Sequence, residues 1–141
     1  MPSRIEMKVS PSVEERASVL RTLMAYNDSR TGDSASETLA LLVRDSVTDA
    51  IIGGLHGEFF YKWLFIELLA LAPEIRKGGI GSKLLEMAEQ AARDRGCTGI
   101  WLDTFDFQAP RFYQRHGFTE FGVIEDFPEG HKRHFYQKRL R

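Results

Sequence analysis

The 141-residue chain holds a single cysteine, Cys97. A lone cysteine excludes an internal disulfide framework and any zinc site built from several thiolates. A reducing, cytosolic setting is then the default expectation. Neither charge sign is in excess: 19 Lys and Arg against 20 Asp and Glu leave a net charge of −1. No broad affinity for nucleic acid or an anionic membrane is expected from such a balance. Long apolar runs are missing too. The longest, WLFIELLALA from Trp63 to Ala72, is interrupted by Glu67 and falls well short of the roughly 20 residues that a spanning helix needs. The opening MPSRIEMKVSPS has no apolar stretch of the kind a secretory leader carries. Repeats, linkers and low-complexity tracts are also absent. What is present is a 43% hydrophobic composition, enough for one core, so residues 1–141 are expected to form a single domain.

Periodicity divides the chain into alternating elements. IEMKV, Ile5 to Val9, alternates and reads as a first strand. Ser12 and Glu15 have capping-box spacing, and Val13, Ala17, Leu20 and Met24 fall on one helical stripe. The turn chemistry of NDSRTGDSAS is expected to stop that helix near Asn27, leaving Tyr26 to Ser36 as a polar lid loop. TLALLVRD and AIIGGLHGEFFYK read as strands joined by a turn from Asp45 to Asp49. WLFIELLAL is apolar on both faces apart from Glu67, as a central strand should be, and Pro73 ends it. A second helix carries Ile80, Leu84, Met87 or Ala88, and Ala91, with Gly96 as its stop. GIWLDTF is a strand, APRFYQRHG a short helix, and FTEFGVIE and RHFYQKRL close the chain as strands. The expected class is α/β, or α+β, with a mixed sheet and about three helices.

Arg76 to Gly81, RKGGIG, puts three glycines into four residues at the mouth of a good helix. Glycine there costs roughly 0.5–1 kcal/mol against alanine, so close approach of the backbone to a ligand is the natural reason. A phosphate-binding P-loop is excluded, because Lys83 follows Ser82 instead of preceding a Ser or Thr. A dinucleotide fingerprint finds G-x-G at Gly79 to Gly81 and an acid at Asp103, but Leu84 occupies its third glycine position. Too little β-α chain follows for a doubly wound domain. Free N–H groups and the positive dipole end of the helix favour an anion, and Arg76 and Lys77 add charge.

RKGGIG also resembles the R/Q-x-x-G-x-G/A loop of the GNAT superfamily of N-acetyltransferases. The later stretch DFQAPRFYQRHGF, Asp106 to Phe118, resembles that family's N-x-x-A-x-x-F-Y-x-x-x-G-F motif at Ala109, Phe112, Tyr113, Gly117 and Phe118. Asp106 stands where the family has asparagine. The resemblance implies the GNAT fold, a mostly antiparallel mixed sheet whose two central strands splay around acetyl-CoA. It implies a pyrophosphate site at Arg76, Lys77, Gly78, Gly79, Ile80, Gly81 and Ser82. It also implies a pantetheine arm lying along the backbone of Leu69, Ala70 and Leu71 like an added strand. Asp106 and Phe112 join the cofactor-binding set with their motif, although Phe112 also suits the core. Phe59, Tyr61, Trp63, Phe105 and Phe107 are expected along the wall of the gap.

The implied chemistry is acetyl transfer to the primary amine of a small molecule by direct attack. An ammonium cannot attack, so a base, or a water relay to one, must take a proton, and a departing thiolate is helped by an acid. Tyr113 occupies the family position for that acid. Glu67 is the candidate base: it lies in the most apolar strand, on the face of Phe65 and Leu69 by strict alternation, where burial would make it more basic. His116 is read as a helix-end residue, and His131 as an edge of the substrate mouth. His131 and His134 lack a carboxylate partner in sequence, so no metal is expected. A homodimer is compatible with the sequence, and a catalytically silent acyl-CoA-binding regulator on the same fold is the alternative reading.

Overall fold

The computed structural model describes residues 1–141, which fall into two compact units, Met1–Ser34 and Ala35–Arg141. The first contains one helix, α1 (Val13–Thr31). The strand expected at Ile5 to Val9 does not form: no ladder includes it, and Ile5 and Met7 are fully exposed. Alternation without a partner strand leaves the backbone nothing to pair with. The start of α1 is as expected. Ser12 Oγ accepts from the Glu15 amide at 3.0 Å, and Glu15 accepts from the Ser12 amide at 2.8 Å. Its end is not. The helix passes Asn27 and stops at Gly32, whose φ is +77°. Ser29 and Thr31 donate their hydroxyls back to the carbonyls of Tyr26 and Asn27, so residues that usually favour turns are satisfied inside the helix. The expected lid is therefore helical through Thr31. Of the predicted stripe, Ala17 and Met24 are half-buried, while Val13 and Leu20 are exposed.

The second unit runs β1 (Glu37–Arg44), β2 (Ile51–Phe60), β3 (Trp63–Leu71), α2 (Ile80–Asp94), β4 (Gly99–Phe105), α3 (Pro110–Arg115), β5 (Thr119–Glu125) and β6 (Lys132–Arg139). Its six strands form one sheet in the order β1-β2-β3-β4-β6-β5. Every neighbouring pair is antiparallel except β3 and β4. The core lies where α2 sets Leu84, Leu85, Ala88 and Ala92 against Leu55, Leu64, Ile66, Ile100 and Leu102. Ala88 takes the place that the sequence left open between it and Met87, which stays 45% exposed. Ala92 is fully buried and Ala91 only partly. Small residues on this face let the helix approach the sheet. Leu64 is wholly buried, and truncating such a leucine to alanine costs about 2–5 kcal/mol.

Two local features position the site. The β2–β3 hairpin turns on Tyr61 and Lys62, with φ of +50° and +64°, the left-handed pair that matches strand twist. Pairing then runs from Phe60↔Trp63 to Gly57↔Ile66, but the next pair is His56↔Leu68. Glu67 is the extra residue of a β-bulge. The bulge reverses the alternation. Leu69 pairs with buried Leu55 and packs on the core together with Leu64 and Ile66, whereas Phe65 stacks on Trp101 at 4.2 Å. The expectation that Glu67, Phe65 and Leu69 share a face fails for Leu69, because strict alternation does not survive an inserted residue. The bulge also falls where β3 leaves β4. Their parallel ladder pairs Trp63↔Gly99 through Ile66↔Leu102 and goes no further, so the expected splay is present.

Candidate functional site

Beyond Ile66 and Leu102 the two central strands border a cleft of about 770 Å³. Glu67 and Leu69 to Leu71 line one side, Asp103 to Phe105 the other, and Arg76 and Tyr113 also face it. Arg76 Nε donates to the Leu71 carbonyl at 3.1 Å, which ties the glycine loop to the end of β3. Lys77 and Gly79 have φ of +70° and +82°. Gly79 is the N-cap of α2, with no side-chain cap and no acidic residue in the first turn. A Cβ on Gly79 would meet nothing within 4 Å, so glycine serves the backbone conformation there, not a crowded packing site. The first intrahelical bond is from the Lys83 amide to the Gly79 carbonyl. The amides of Ile80, Gly81 and Ser82 remain free for an outside acceptor. At Gly81 a Cβ would stand 3.4 Å from the Phe112 ring. Phe112 thus supports the loop from behind and packs on the core instead of lining the cleft.

Tyr113 is 8% exposed, set among Phe112, Phe118 and Tyr136. Burial, and secondarily the charge of Asp103, push its phenol up to about 12. It keeps its proton at any ordinary pH, as an acid must before it acts. Asp103 itself is committed to Arg133, whose Nε and Nη2 both lie 2.8 Å from its Oδ1.

Glu67 lines the cleft, but its side chain is 52% exposed. The desolvation expected from its apolar strand is absent, because the bulge turns it outward. Its neighbour is His56, whose Nδ1 lies 3.4 Å from Glu67 Oε2. That nitrogen is sealed from solvent and has no hydrogen-bond partner, so the contact is an electrostatic approach, not a formed hydrogen bond.

Asp106 sits outside the cleft lining. It accepts from His131 Nδ1 at 2.9 Å and from the Lys132 amide at 3.0 Å. Burial alone would raise its carboxyl, but those two bonds outweigh it and hold the group below the ordinary range. His131 lies edge-on to Phe107, which stacks nearly parallel on Phe105 at 5.3 Å. Of the aromatics expected along the wall, Phe105 and Phe107 are there. Phe59 is core, and Trp63 lies at the paired end of β3 under Arg139. His116 caps α3, its ring against the Phe112 carbonyl at 2.8 Å.

Two residues of the site were not singled out from sequence. Gln108 Oε1 accepts from the Phe105 amide and the Thr104 hydroxyl, bracing the free end of β4. His56 had a readable signal. Counting back across the hairpin from Phe60↔Trp63 sets it opposite Glu67 in an unbulged register.

A model of the Acetyltransferase (GNAT) family matches residues 6–118. An acetyltransferase of Agrobacterium fabrum, Atu2258, is 36% identical over 127 residues, covering 90% of this chain and 92% of that one. A blasticidin-S acetyltransferase of Streptomyces morookaense is 42% identical over 91 residues, 64% of this chain and 67% of its own. The crystal structure of an acetyltransferase from Agrobacterium tumefaciens superposes with a TM-score of 0.92 at 33% identity, covering 98% of this chain and all of that one. The chain therefore belongs to the GNAT family of acetyltransferases, and its six-stranded sheet with β3 and β4 parted over a cleft is the GNAT fold.

Proposed function

We propose that the protein transfers the acetyl group of acetyl-CoA to a primary amine of a small molecule by direct attack. The carrying observation is that one cleft is bordered by both Arg76, at the glycine loop, and Tyr113. The pyrophosphate lies on the amides from Gly78 to Ser82, with Arg76 and Lys77 adding charge. The pantetheine arm runs along Leu69 to Leu71, the part of β3 that β4 leaves unpaired on that side. Glu67 takes a proton from the acceptor ammonium. The freed nitrogen attacks the thioester carbonyl, the C–N bond forms and the C–S bond breaks, and the sulfur takes the proton of Tyr113. The newly bonded nitrogen gives up its second surplus proton, which solvent relays to the phenolate, and the proton held by Glu67 passes to solvent as the one net proton released. The relative named for blasticidin S supports a small-molecule acceptor. So do Phe105 and Phe107 in the lining, since an aromatic face and a carboxylate suit an ammonium on an apolar body.

The test is release of free thiol from acetyl-CoA across a panel of aromatic amines, aliphatic amines and amino-acid esters, set against histone-like peptides and polyamines. Turnover with small amines is expected, and Tyr113→Phe is expected to lower kcat by about 10²–10⁴-fold with acetyl-CoA affinity nearly unchanged. Binding of acetyl-CoA with no thiol release for any amine would favour the silent regulator. Preference for the peptides would assign an open groove to the acceptor.

A further inference from the structure

We propose that His56 is the positioning residue for Glu67. It presents an Nδ1–H to the carboxylate and holds it toward the cleft, so that the base meets the acceptor in one orientation. The inference deepens the reading of Glu67 as the base and rests on it.

The argument starts from an unsatisfied atom. Nδ1 of His56 is shut off from solvent and unpaired, although the side chain as a whole is 43% exposed. A sealed ring nitrogen without a partner is costly, and native structures rarely leave one so. The group it faces is Glu67 Oε2 at 3.4 Å. An ionised carboxylate can only accept, so the nitrogen facing it must carry the proton. On this face of the sheet, the register sets Thr38, Ala40 and Leu42 of β1 beside Glu58, His56 and Gly54 of β2. The charged groups offered on this face by β1, β2 and β3 are thus Arg44, Glu58 and Glu67. Arg44 donates to the Asp49 carbonyl at 3.0 Å at the far end of β1, and a cation offers the ring nitrogen no acceptor. Glu58 already accepts from Ser36 Oγ at 2.9 Å, which leaves Glu67 as the partner for the ring.

The bulge explains why such a partner is needed. Glu67 is the one residue of β3 between Trp63 and Leu71 that the β2 ladder skips, and its side chain is half exposed. A carboxylate on a bulge has several rotamers open to it, and reaction requires one. A base held by a third group follows the general logic of oriented catalytic pairs. Small rotamer adjustment of Glu67 shortens the 3.4 Å approach into a charge-assisted bond.

Two readouts test this in the intact protein. The first needs no acceptor. In protein labelled with ¹⁵N in its histidine rings, with the His56 signals identified by their loss in His56→Phe, neutral His56 should carry its proton on Nδ1, and Glu67→Gln should perturb that nitrogen. A proton on Nε2, or signals indifferent to Glu67→Gln, would overturn the proposal. The second uses thiol release with whichever panel amine turns over best. His56→Phe should lower kcat roughly tenfold with the KM for acetyl-CoA unchanged. His56→Asn, which returns an N–H near the Nδ1 position, should recover most of the loss. In a Glu67→Gln background His56→Phe should add nothing, because the two act as one unit. Equal losses in the Phe and Asn variants, accompanied by lower melting temperatures, would reduce His56 to packing and overturn the proposal. If Glu67→Gln turns over like the wild type, the base reading fails and the catalytic part of the proposal with it. If Glu67→Gln is slow and His56→Phe is not, only the positioning role fails.

Discussion

Two helix starts in this chain face the same physical problem and answer it in opposite ways. Both α1 and α2 begin with amides that have no partner inside the helix. At α1 the chain supplies a side-chain cap of its own. Ser12 and Glu15 close a reciprocal capping box, Glu14 and Glu15 meet the positive dipole end, and Lys8 reaches Glu15 at 2.6 Å. At α2 the chain supplies nothing: the cap is a glycine at φ +82°, no side chain bonds the first amides, and no acid stands in the first turn. A start capped by its own side chains and acids needs no ligand to hold it. A start left open beside Arg76 and Lys77 suits the pyrophosphate in the function proposed above. The difference is between a helix terminus capped by its own side chains and one left to the backbone alone.

The largest effect should come from closing the open start. Acetyl-CoA at a hundred times its dissociation constant should stabilise the wild type by about 2.7 kcal/mol, whereas NAD should not. Gly79→Glu puts a side chain at positive φ and a negative charge where the pyrophosphate belongs. It should abolish the shift with acetyl-CoA in a thermal melt while the unliganded protein still folds. A full shift in the variant would mean that the α2 start is a turn without a ligand, and the contrast between the two helices would lose its meaning.

Tyr113 comes next, because its ionisation tests how far the protein dedicates a buried group to the cleft. Its folded pKa lies above the ordinary phenol value of 10, at about 12. The neutral form is therefore favoured by folding. The contribution is fully present below pH 10 and is lost as pH rises from 10 through 12, by roughly 2–3 kcal/mol at full ionisation. Melts between those pH values should fall more steeply for the wild type than for Tyr113→Phe. Parallel curves would show that the phenol is in contact with water through the cleft and not desolvated.

Opening the closed start should matter less. Ser12→Ala removes one acceptor from α1 and should cost about 1 kcal/mol, with acetyl-CoA affinity unchanged. Loss of cofactor binding in this variant would contradict the assignment of the α1 start to folding alone.

The same pair of helices shows what was legible in the sequence. Both starts were readable, because caps and glycine loops depend on a few adjacent residues. The splay of β3 from β4 and the position of Tyr113 were implied by the resemblance to the GNAT family that the two motifs carry. The misreadings have non-local causes. Ile5 to Val9 alternates like a strand, but strands need partners, and no partner is written in five residues. Asn27 to Thr31 looks like a turn, and its hydroxyls can equally bond back into a helix. The bulge at Glu67 is a disagreement between two strands about register. It is invisible in either one, yet it decides the face of Leu69, the exposure of Glu67 and the meeting with His56. Asp106 kept its motif position but is engaged by His131, a residue 25 positions away.

The smallest effect is the acid response of the two starts, and it isolates their chemistry most cleanly. Glu15 is held below the ordinary glutamate range by Lys8, then by the Ser12 amide, then by the Ser12 hydroxyl. A depressed carboxylate contributes above its unfolded pKa, near 4.5, and the contribution is lost as pH falls through the folded value. The first turn of α1 should therefore fray on acidification. Gly79 to Ser82 contains no titrating group, so the first turn of α2 should keep its amide signals over the same range. Residue-resolved amide spectra from pH 6 down to the onset of global unfolding would compare the two within one sample. Glu15→Gln should show at neutral pH part of the fraying that acid produces in the wild type, and should respond to acid less than the wild type at that turn, where Glu14 remains. If both starts fray together, a shared global transition controls them, and the capping box is then too weakly coupled to its own helix to be what distinguishes α1 from α2.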